Sequence, residues 1–193
     1  MIDLPKIEDI VDLETGQSKT VSFNKKELAV DLVSADDPIL REELPRFDFN
    51  NPPTDPIEFA HILAQSMLKH GGIGLAANQI GFRHRAFVMM GNPILCCYNP
   101  RVVDIPENED ILQEEGCLTF PNLLIKVKRK AAIKVQYTEP NGNVQNRVFA
   151  NLSSRIFQHE LDHLNGILYM DRASSYHYEQ AKKNRFKYER GIL

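Results

Sequence analysis

One stretch in the last quarter of the chain reads Leu152-Ser-Ser-Arg-Ile-Phe-Gln-His-Glu-Leu-Asp-His-Leu-Asn-Gly166. This pattern predicts one α-helix from about Leu152 to Asn165, ended by a glycine that readily adopts the left-handed conformation after a helix. Residues four apart share a helix face, with Cβ atoms about 5–6 Å apart, so His159 and His163 are candidates to hold one metal ion. Glu160 would then stand beside the ion to handle a proton. The alternative is a helix that carries two buried, hydrogen-bonded histidines.

A catalytic metal site needs a third protein ligand and one open position. Metzincin proteases extend the motif to H-E-x-x-H-x-x-G-x-x-H; Gly166 matches, but Tyr169 occupies the position of the third histidine. Thermolysin-like proteases take a glutamate from a later helix, and Glu179 would be the counterpart, although it lies in a basic tail and closer than expected. The better third ligand is Cys117, because a thiolate binds zinc or ferrous iron strongly. The alternative for this cysteine is a buried structural role.

A glycine-rich segment, Gly72-Ile-Gly-Leu-Ala-Ala-Asn-Gln79, is small and apolar and ends in an amide side chain. It does not match G-x-G-x-x-G and follows a helical pattern rather than a strand, which argues against nucleotide binding. Small residues followed by glutamine suit a tight wall around a small substrate group, with Gln79 donating a hydrogen bond. Close helix packing through glycine and alanine is the alternative.

An earlier helix is predicted to start after Asp55, which can cap it, with Pro56 in its first turn and Glu58 in a capping-box-like position. This helix should end at Gly71. Its predicted apolar face consists of Ile57, Ala60, Ala64, Met67 and Leu68.

Short strands complete the predicted fold. They are expected at residues 86–90, 94–98, 131–137 and 144–149, with Asn141-Gly142 as a hairpin signal before the last. Cys96 and Cys97 fall inside the second strand and are interpreted as small buried hydrophobic residues. The sequence therefore predicts an α+β fold: short antiparallel sheets packed around one central metal-binding helix, with a C-terminal helix.

Composition limits the possible partners and compartments. The chain has 193 residues, 42% of them hydrophobic and 25% charged, and a net charge of −3. This balance argues against a general nucleic-acid binder, so no DNA partner is expected. No apolar run approaches the roughly 18 residues of a membrane span, so no membrane partner is expected either. The acidic first 20 residues resemble neither a secretory signal nor a transit peptide, and we expect a cytoplasmic protein.

The predicted organisation is an N-terminal extension over residues 1–28 and a single catalytic domain over residues 29–193. The domain ends in a basic helix over residues 174–190. Three cysteines are too few for a disulfide framework.

Three separated segments, in this order, resemble the motifs of peptide deformylase: G-x-G-L-A-A-x-Q, E-G-C-L-S and Q-H-E-x-D-H. They read Gly72 to Gln79, Glu115 to Thr119 and Gln158 to His163 in this chain. The resemblance covers about Val33 to Met170. Its one departure inside the motifs is Thr119, where the family usually has serine, and both residues carry a hydroxyl group.

The resemblance implies removal of the N-formyl group from the initiator formyl-methionine of newly made polypeptides, with release of formate. It implies that one divalent ion per chain is bound by Cys117, His159 and His163. The ion is commonly Fe²⁺ in this family, and Zn²⁺, Ni²⁺ or Co²⁺ can replace it.

The same resemblance implies the roles of the other site residues. A metal-bound water attacks the formyl carbon, with Glu160 as general base and then general acid. The Gln79 side chain and the Leu118 backbone N–H would stabilise the oxyanion. Asp162, which faces away from the ligand pair on a helix, is interpreted as an orienting or structural group.

Substrate binding follows from the resemblance as an added strand alongside Ile73. The residues implied to bind substrate are Ile73, Gly74, Gly116, Leu152, Arg155 and Ile156. For Arg155 a surface position with an inward-packed alkyl stem is the alternative.

The basic tail is a candidate contact for ribosomal RNA, because the substrate emerges at the ribosome. Its cations are Lys182, Lys183, Arg185, Lys187 and Arg190. A solvated helix face is the alternative.

Two other functions compete with an active deformylase. One is a metal-dependent peptidase, which would cut internal peptide bonds and tolerate replacement of Cys117. The other is a non-enzymatic relative with a closed structural metal site, in which mutation of Glu160 would have no functional effect.

Overall fold

The computed structural model describes residues 28–107 and 109–191. The predicted N-terminal extension lies outside the described residues, apart from its last residue, Leu28. The described chain forms three α-helices and two antiparallel sheets, and the α+β prediction is confirmed.

Seven strands of the described chain build a five-stranded sheet and a separate two-stranded hairpin. They are β1 (Gly74–Ala76), β2 (Ala86–Met89), β3 (Leu95–Asp104), β4 (Asp110–Cys117), β5 (Phe120–Lys130), β6 (Ala132–Thr138) and β7 (Val144–Ala150). The larger sheet has the order β1-β2-β3-β6-β7, and β4 pairs with β5. The strand predicted at residues 94–98 is present as β3 and is longer than expected. Strands β1, β4 and β5 were not predicted.

The first α-helix, α1 (Pro56–Lys69), begins as predicted. The Asp55 carboxylate accepts hydrogen bonds from the backbone N–H groups of Ile57 and Glu58 at 2.9 and 2.8 Å. Its apolar face was predicted wrongly in part, since Ile57 and Leu68 are 51% and 40% exposed.

The face of α1 that packs inward is rotated from the predicted one and includes a polar residue. The buried positions are Phe59, Ala60, Leu63, Ser66 and Met67. The Ser66 hydroxyl donates to the Ile62 carbonyl at 2.7 Å and accepts from the Val30 N–H at 2.9 Å, so its burial leaves no unpaired polar group. A pattern of apolar residues alone does not identify such a position.

The central helix, α2 (Asn151–Leu164), begins and ends one residue before the predicted bounds. After it, Gly166 has a φ of +68°, and a Cβ there would overlap the Arg41 carbonyl. The helix packs against both sheets, since it contacts β1, β2, β6 and β7 on one side and β5 on the other. In the core, Phe157 meets Phe87 edge to face, with ring centroids 5.1 Å apart. Side chains on α2 can therefore meet groups from either sheet.

The C-terminal helix, α3 (Ser175–Glu189), packs on β5 and is capped by Ser174. Its buried residue, Ala181, joins a small core with Leu123, Ile125 and Tyr169. Within the described residues, no helix combines the length and the apolar character needed to cross a membrane.

Candidate metal centre and active site

Cys117, His159 and His163 converge between the hairpin and α2. One possible ligand atom from each lies within 4.8 Å of the others, and all three side chains are buried. Cys117 ends β4, while the two histidines lie one turn apart on α2, with ring centroids at 5.0 Å. The Cys117 Sγ is 3.3 Å from Nε2 of His163. A thiolate and two imidazoles at this spacing match the donor set of zinc and ferrous sites.

The hydrogen bond of His159 determines which of its ring nitrogens can bind a metal ion. Nδ1 lies 3.1 Å from the Glu115 carboxylate. Because a carboxylate accepts hydrogen bonds, Nδ1 donates and Nε2 is left as the ligand atom. Burial alone would lower the pKa of His159, but hydrogen bonds with Cys117 and Glu115 raise it to about 10. Nε2 of His159 therefore faces the cluster, and one sulfur with two imidazole nitrogens is a donor set that fits a divalent ion.

The pKa values of the two carboxylates nearest the histidines are shifted in opposite directions. Burial raises the pKa of Glu160 to about 7, against the attraction of His159. Burial also acts on Glu115, but hydrogen bonds from His159 and Arg129 outweigh it and lower that pKa to about 2. Glu160 Oε2 is buried and has no hydrogen-bond partner among the described residues. Glu160 is thus suited to exchange protons near neutral pH, and Glu115 to remain charged.

The side chain of Gln79 is fixed at both ends. Its Oε1 accepts the Ala76 N–H at 2.8 Å, which directs Nε2 towards the Cys117 Sγ at 3.4 Å and the Thr119 hydroxyl at 3.2 Å. Threonine at position 119 therefore supplies the hydroxyl that the serine of the motif would supply. The result is an amide donor held next to the ligand cluster.

The glycine-rich segment forms β1 and a short 3-10 helix, Ala77–Ile80, rather than an α-helix. A Cβ at Gly74 would overlap Oε1 of Glu160 and would lie 3.0 Å from Ile156. Close packing against a helix, the alternative interpretation, therefore applies at Gly74, on the same segment that carries Gln79.

A cavity of about 580 Å³ opens beside the ligand cluster. The predicted residues that line it are Ile73, Gly74, Gln79, Gly116, Cys117, Leu118, Leu152, Arg155, Ile156, His159 and Glu160. His163 is buried behind this lining. Leu32 and His70 also line the cavity and were not predicted, because they come from segments whose approach to the site depends on the tertiary fold.

Arg155 lines the cavity, but its guanidinium group is engaged elsewhere. It donates to the Glu115 carboxylate, to the Val127 carbonyl at 3.0 Å and to the Ile111 carbonyl at 2.6 Å. The side chain is buried, so the alternative of a surface position does not hold. What Arg155 offers to the cavity is its alkyl stem.

A group of charged residues beside the candidate ligands was not predicted from the sequence. Arg129 forms a two-pronged pair with Glu115 and also binds Asp162, which in turn binds Arg172. The available signal was Arg129 itself, a charged residue at an inward position in the alternating strand β5. Asp162 had been interpreted as an orienting or structural group, and its two arginine partners agree with that interpretation.

The family profile and the similar proteins of known name indicate the same family. The polypeptide deformylase family profile matches residues 29–179. The peptide deformylase of Thermotoga petrophila is 39% identical over 143 residues, which are 72% of this chain and 83% of that protein. The peptide deformylase of Synechocystis is 39% identical over 124 residues, which are 61% of this chain and 66% of that protein.

Solved structures agree. The peptide deformylase of Synechococcus elongatus in complex with actinonin superposes with a TM-score of 0.74 at 30% identity, covering 81% of this chain and 86% of that chain. The Thermotoga maritima peptide deformylase gives a TM-score of 0.71 at 33% identity, covering 76% of this chain and 98% of that chain.

Proposed function

This chain belongs to the peptide deformylase family of hydrolases, and we propose that it removes the N-formyl group from formyl-methionine at the start of new polypeptides. Water is added across the formamide C–N bond, so the products are formate and a free amino terminus. The observation that carries this proposal is the convergence of Cys117, His159 and His163 beside the buried Glu160, at the edge of an open cavity. Residues 29–193 would form one catalytic domain. The protein would act in the cytoplasm, where new polypeptides are synthesised.

We propose one divalent ion per chain, held by Cys117, His159 and His163, with Fe²⁺ in the cell and Zn²⁺, Ni²⁺ or Co²⁺ as possible replacements. When bound, such an ion supplies Lewis-acid polarisation of the formyl carbonyl and activation of water. Burial holds the pKa of His163 well below its ordinary value, which supports the neutral imidazole that a ligand must be. Metal analysis of anaerobically purified protein would identify the ion.

Glu160 is the proposed proton carrier. It accepts a proton as water attacks the formyl carbon and returns that proton to the amine nitrogen as the C–N bond breaks. A pKa of about 7 supports both halves of this cycle near neutral pH. The free Oε2 leaves one carboxylate oxygen available for the exchange.

The developing oxyanion needs fixed donors. Gln79 Nε2 is oriented by the Ala76 N–H at the far end of its amide, and Leu118 contributes the backbone N–H of the residue after Cys117. A preorganised donor of this kind contributes about 3 kcal/mol to lowering the barrier.

The peptide is proposed to bind as an additional strand beside Ile73. Two features support this: β1 is an edge strand of the larger sheet, and Ile73 is exposed at the cavity. The methionine side chain would enter the part of the cavity lined by Ile73, Leu152, Arg155, Ile156 and His159.

The decisive experiment measures formate release from a formyl-Met tripeptide, with metal content determined on the same sample. Glu160→Gln should abolish most of the formate release while retaining the metal, because the amide cannot carry the proton. The exposed substitution Lys183→Gln, at a solvent-facing position of helix α3, is the control and should leave the rate unchanged.

The competing functions give different results in the same assay. A peptidase would cleave an acetylated peptide at internal bonds and would retain activity in Cys117→Ala. A closed structural metal site would give no formate from the wild-type protein, and Glu160→Gln would change nothing. Either pattern would rule out the deformylase proposal.

Ribosome contact through the basic face of α3 is a separate proposal about partners. Lys183 and Lys187 are exposed and lie one helical turn apart, so a double reversal to glutamate changes the charge of one face by four units. We expect this variant to lose co-sedimentation with ribosomes at low salt, where electrostatic binding to RNA is strongest. Co-sedimentation equal to that of the wild type would contradict ribosome contact through this face.

A further inference from the structure

A buried ion cluster lies next to the candidate metal ligands, and two of its members, Glu115 and Arg155, also line the cavity. It consists of Glu115, Arg129, Arg155 and Asp162, with the half-buried Arg172 at its edge. The first four side chains are each less than a tenth exposed. Two elements meet here: Glu115 and Arg129 belong to the β4–β5 hairpin, and Asp162 to α2.

Within the described residues of this cluster, Arg129 is the one that binds both carboxylates. Its Nε and Nη2 each lie 3.0 Å from an oxygen of Glu115, and its Nη1 donates to Asp162. By contrast, Arg155 binds Glu115 but not Asp162, and Arg172 binds Asp162 but not Glu115. The guanidinium group of Arg129 therefore joins both strands' Glu115–Arg129 pair to Asp162 on the helix, while Arg155 reaches the hairpin from the helix side.

Each carboxylate that Arg129 binds is tied to a candidate metal ligand. Glu115 precedes Cys117 by two residues on β4 and accepts the hydrogen bond from Nδ1 of His159. Asp162 is the neighbour of His163 on α2. The thiolate comes from the hairpin and the imidazoles come from the helix, so their separation depends on how these two elements are joined.

Burying this many charges is not an efficient way to stabilise a fold, because apolar residues of similar volume often do as well. A charged cluster does fix relative positions, since its hydrogen bonds have strict directions and lengths. Lysine could not replace the arginine, because a single ammonium nitrogen does not reproduce a fork that meets three oxygens in one plane.

We propose that Arg129 is a positioning residue that sets the distance between the Cys117 thiolate and the two imidazoles, and hence the affinity and geometry of the metal centre. The inference rests on the proposed metal-dependent function, and it concerns metal binding rather than the chemical step.

The test is a Co²⁺ titration of metal-depleted, full-length protein under anaerobic conditions, followed by its thiolate-to-cobalt and ligand-field absorption. Arg129→Lys keeps the charge and removes the fork. We expect its Co²⁺ affinity to fall by 10- to 100-fold, as for other residues that orient metal ligands, and its absorption bands to shift.

The matched control is Arg172→Gln, which removes a guanidinium group from the same Asp162 but leaves the Arg129–Glu115 pair of the hairpin in place. It should keep the wild-type bands and an affinity within about threefold, well below the effect of an orienting residue, even where its melting temperature falls. A merely stabilising role for Arg129 would lower the melting temperature of both variants and move neither the bands nor the affinity.

If Arg129→Lys does not fold, Asp162→Asn provides the second variant. It keeps the side-chain volume and weakens only the helix end of the link, so we expect Co²⁺ affinity to fall on the order of tenfold with a measurable band shift. Unchanged bands and affinity in Arg129→Lys, or in Asp162→Asn where that variant is used, would overturn the proposal. Wild-type protein that binds Co²⁺ but releases no formate would refute the proposed function alone, and wild-type protein that binds no Co²⁺ would overturn this inference.

Discussion

The space beside Glu160 depends on a missing side chain. At position 74, glycine lets β1 run so close to α2 that any Cβ would occupy the position of the Glu160 carboxylate. The same closeness keeps water away from that carboxylate, and burial is the main cause of its raised pKa. One glycine thus fixes both the place and the protonation behaviour of the proposed proton carrier.

Replacing this glycine with alanine should impair catalysis more than folding. In Gly74→Ala the carboxylate must move by about 1 Å, and displacements of this size lower kcat by on the order of 100-fold. Steady-state formate release should therefore fall, while the metal content of the protein should stay unchanged. Gly142→Ala is the control: its φ of +87° costs about 1 kcal/mol of stability, but no atom of the site is near. Equal kcat in wild type and Gly74→Ala would contradict the predicted overlap.

The departure at position 119 can be tested in the same way. Thr119→Ser keeps the oxygen that accepts from Gln79 Nε2, and kcat should stay within about twofold of the wild type, since the hydrogen bond is unchanged. Thr119→Val keeps the shape and removes the acceptor, so the amide loses one of its restraints. A preorganised oxyanion donor contributes about 100-fold to kcat, and we expect a loss of roughly tenfold from partial misorientation. Identical kcat values for the two variants would show that the hydroxyl does not orient Gln79.

At the scale of elements, local patterns predicted the helices better than the sheets. The α2 helix carries its own signals, with its histidine spacing and Gly166, and its bounds were off by one residue. The β4–β5 hairpin was missed because its inward positions include Glu115 and Arg129, which interrupt the apolar alternation. Those charges are acceptable inside because they pair with each other across the hairpin and with Asp162 and Arg155 on α2, and no local window of sequence contains all four residues.

Arg155 joins these elements and should act on stability rather than on substrate affinity. Arg155→Met keeps an apolar stem in the cavity but removes the guanidinium donor of the Ile111 and Val127 carbonyls and one of the two donors to Oε1 of Glu115. We expect the free energy of unfolding in urea to fall by about 2–4 kcal/mol. The KM for a formyl-Met tripeptide should change by less than about threefold, within the effect of a small packing change. A large rise in KM with unchanged stability would instead assign the guanidinium group to substrate binding.

For the molecule as a whole, the candidate ligands were identifiable from the sequence and the supporting shell was not. Cys117 and the two histidines stand in motifs that can be found in a linear search, 42 residues apart at their closest. Leu32, His70 and Arg129 reach the site only through the packing of sheet, hairpin and helix. Their contribution follows from long-range contacts, which a single sequence does not reveal.

The C-terminal helix belongs to this assembled structure, with consequences for truncation. Removing all residues after Ser174 would uncover Leu123, Ile125 and Tyr169, which α3 covers through Ala181 and the ring of Tyr178. Exposing about two large side chains costs roughly 3 kcal/mol or more, and Leu123 and Ile125 lie on β5, the strand that pairs with β4 and its Cys117. Thermal unfolding of the truncated chain should therefore show a lower midpoint and weaker Co²⁺ retention, whereas the double reversal Lys183→Glu and Lys187→Glu should leave both unchanged. A truncated protein as stable as the full chain would mean that α3 does not contribute to the stability of the domain. In that case, loss of ribosome binding on truncation would be direct evidence for contact through this helix.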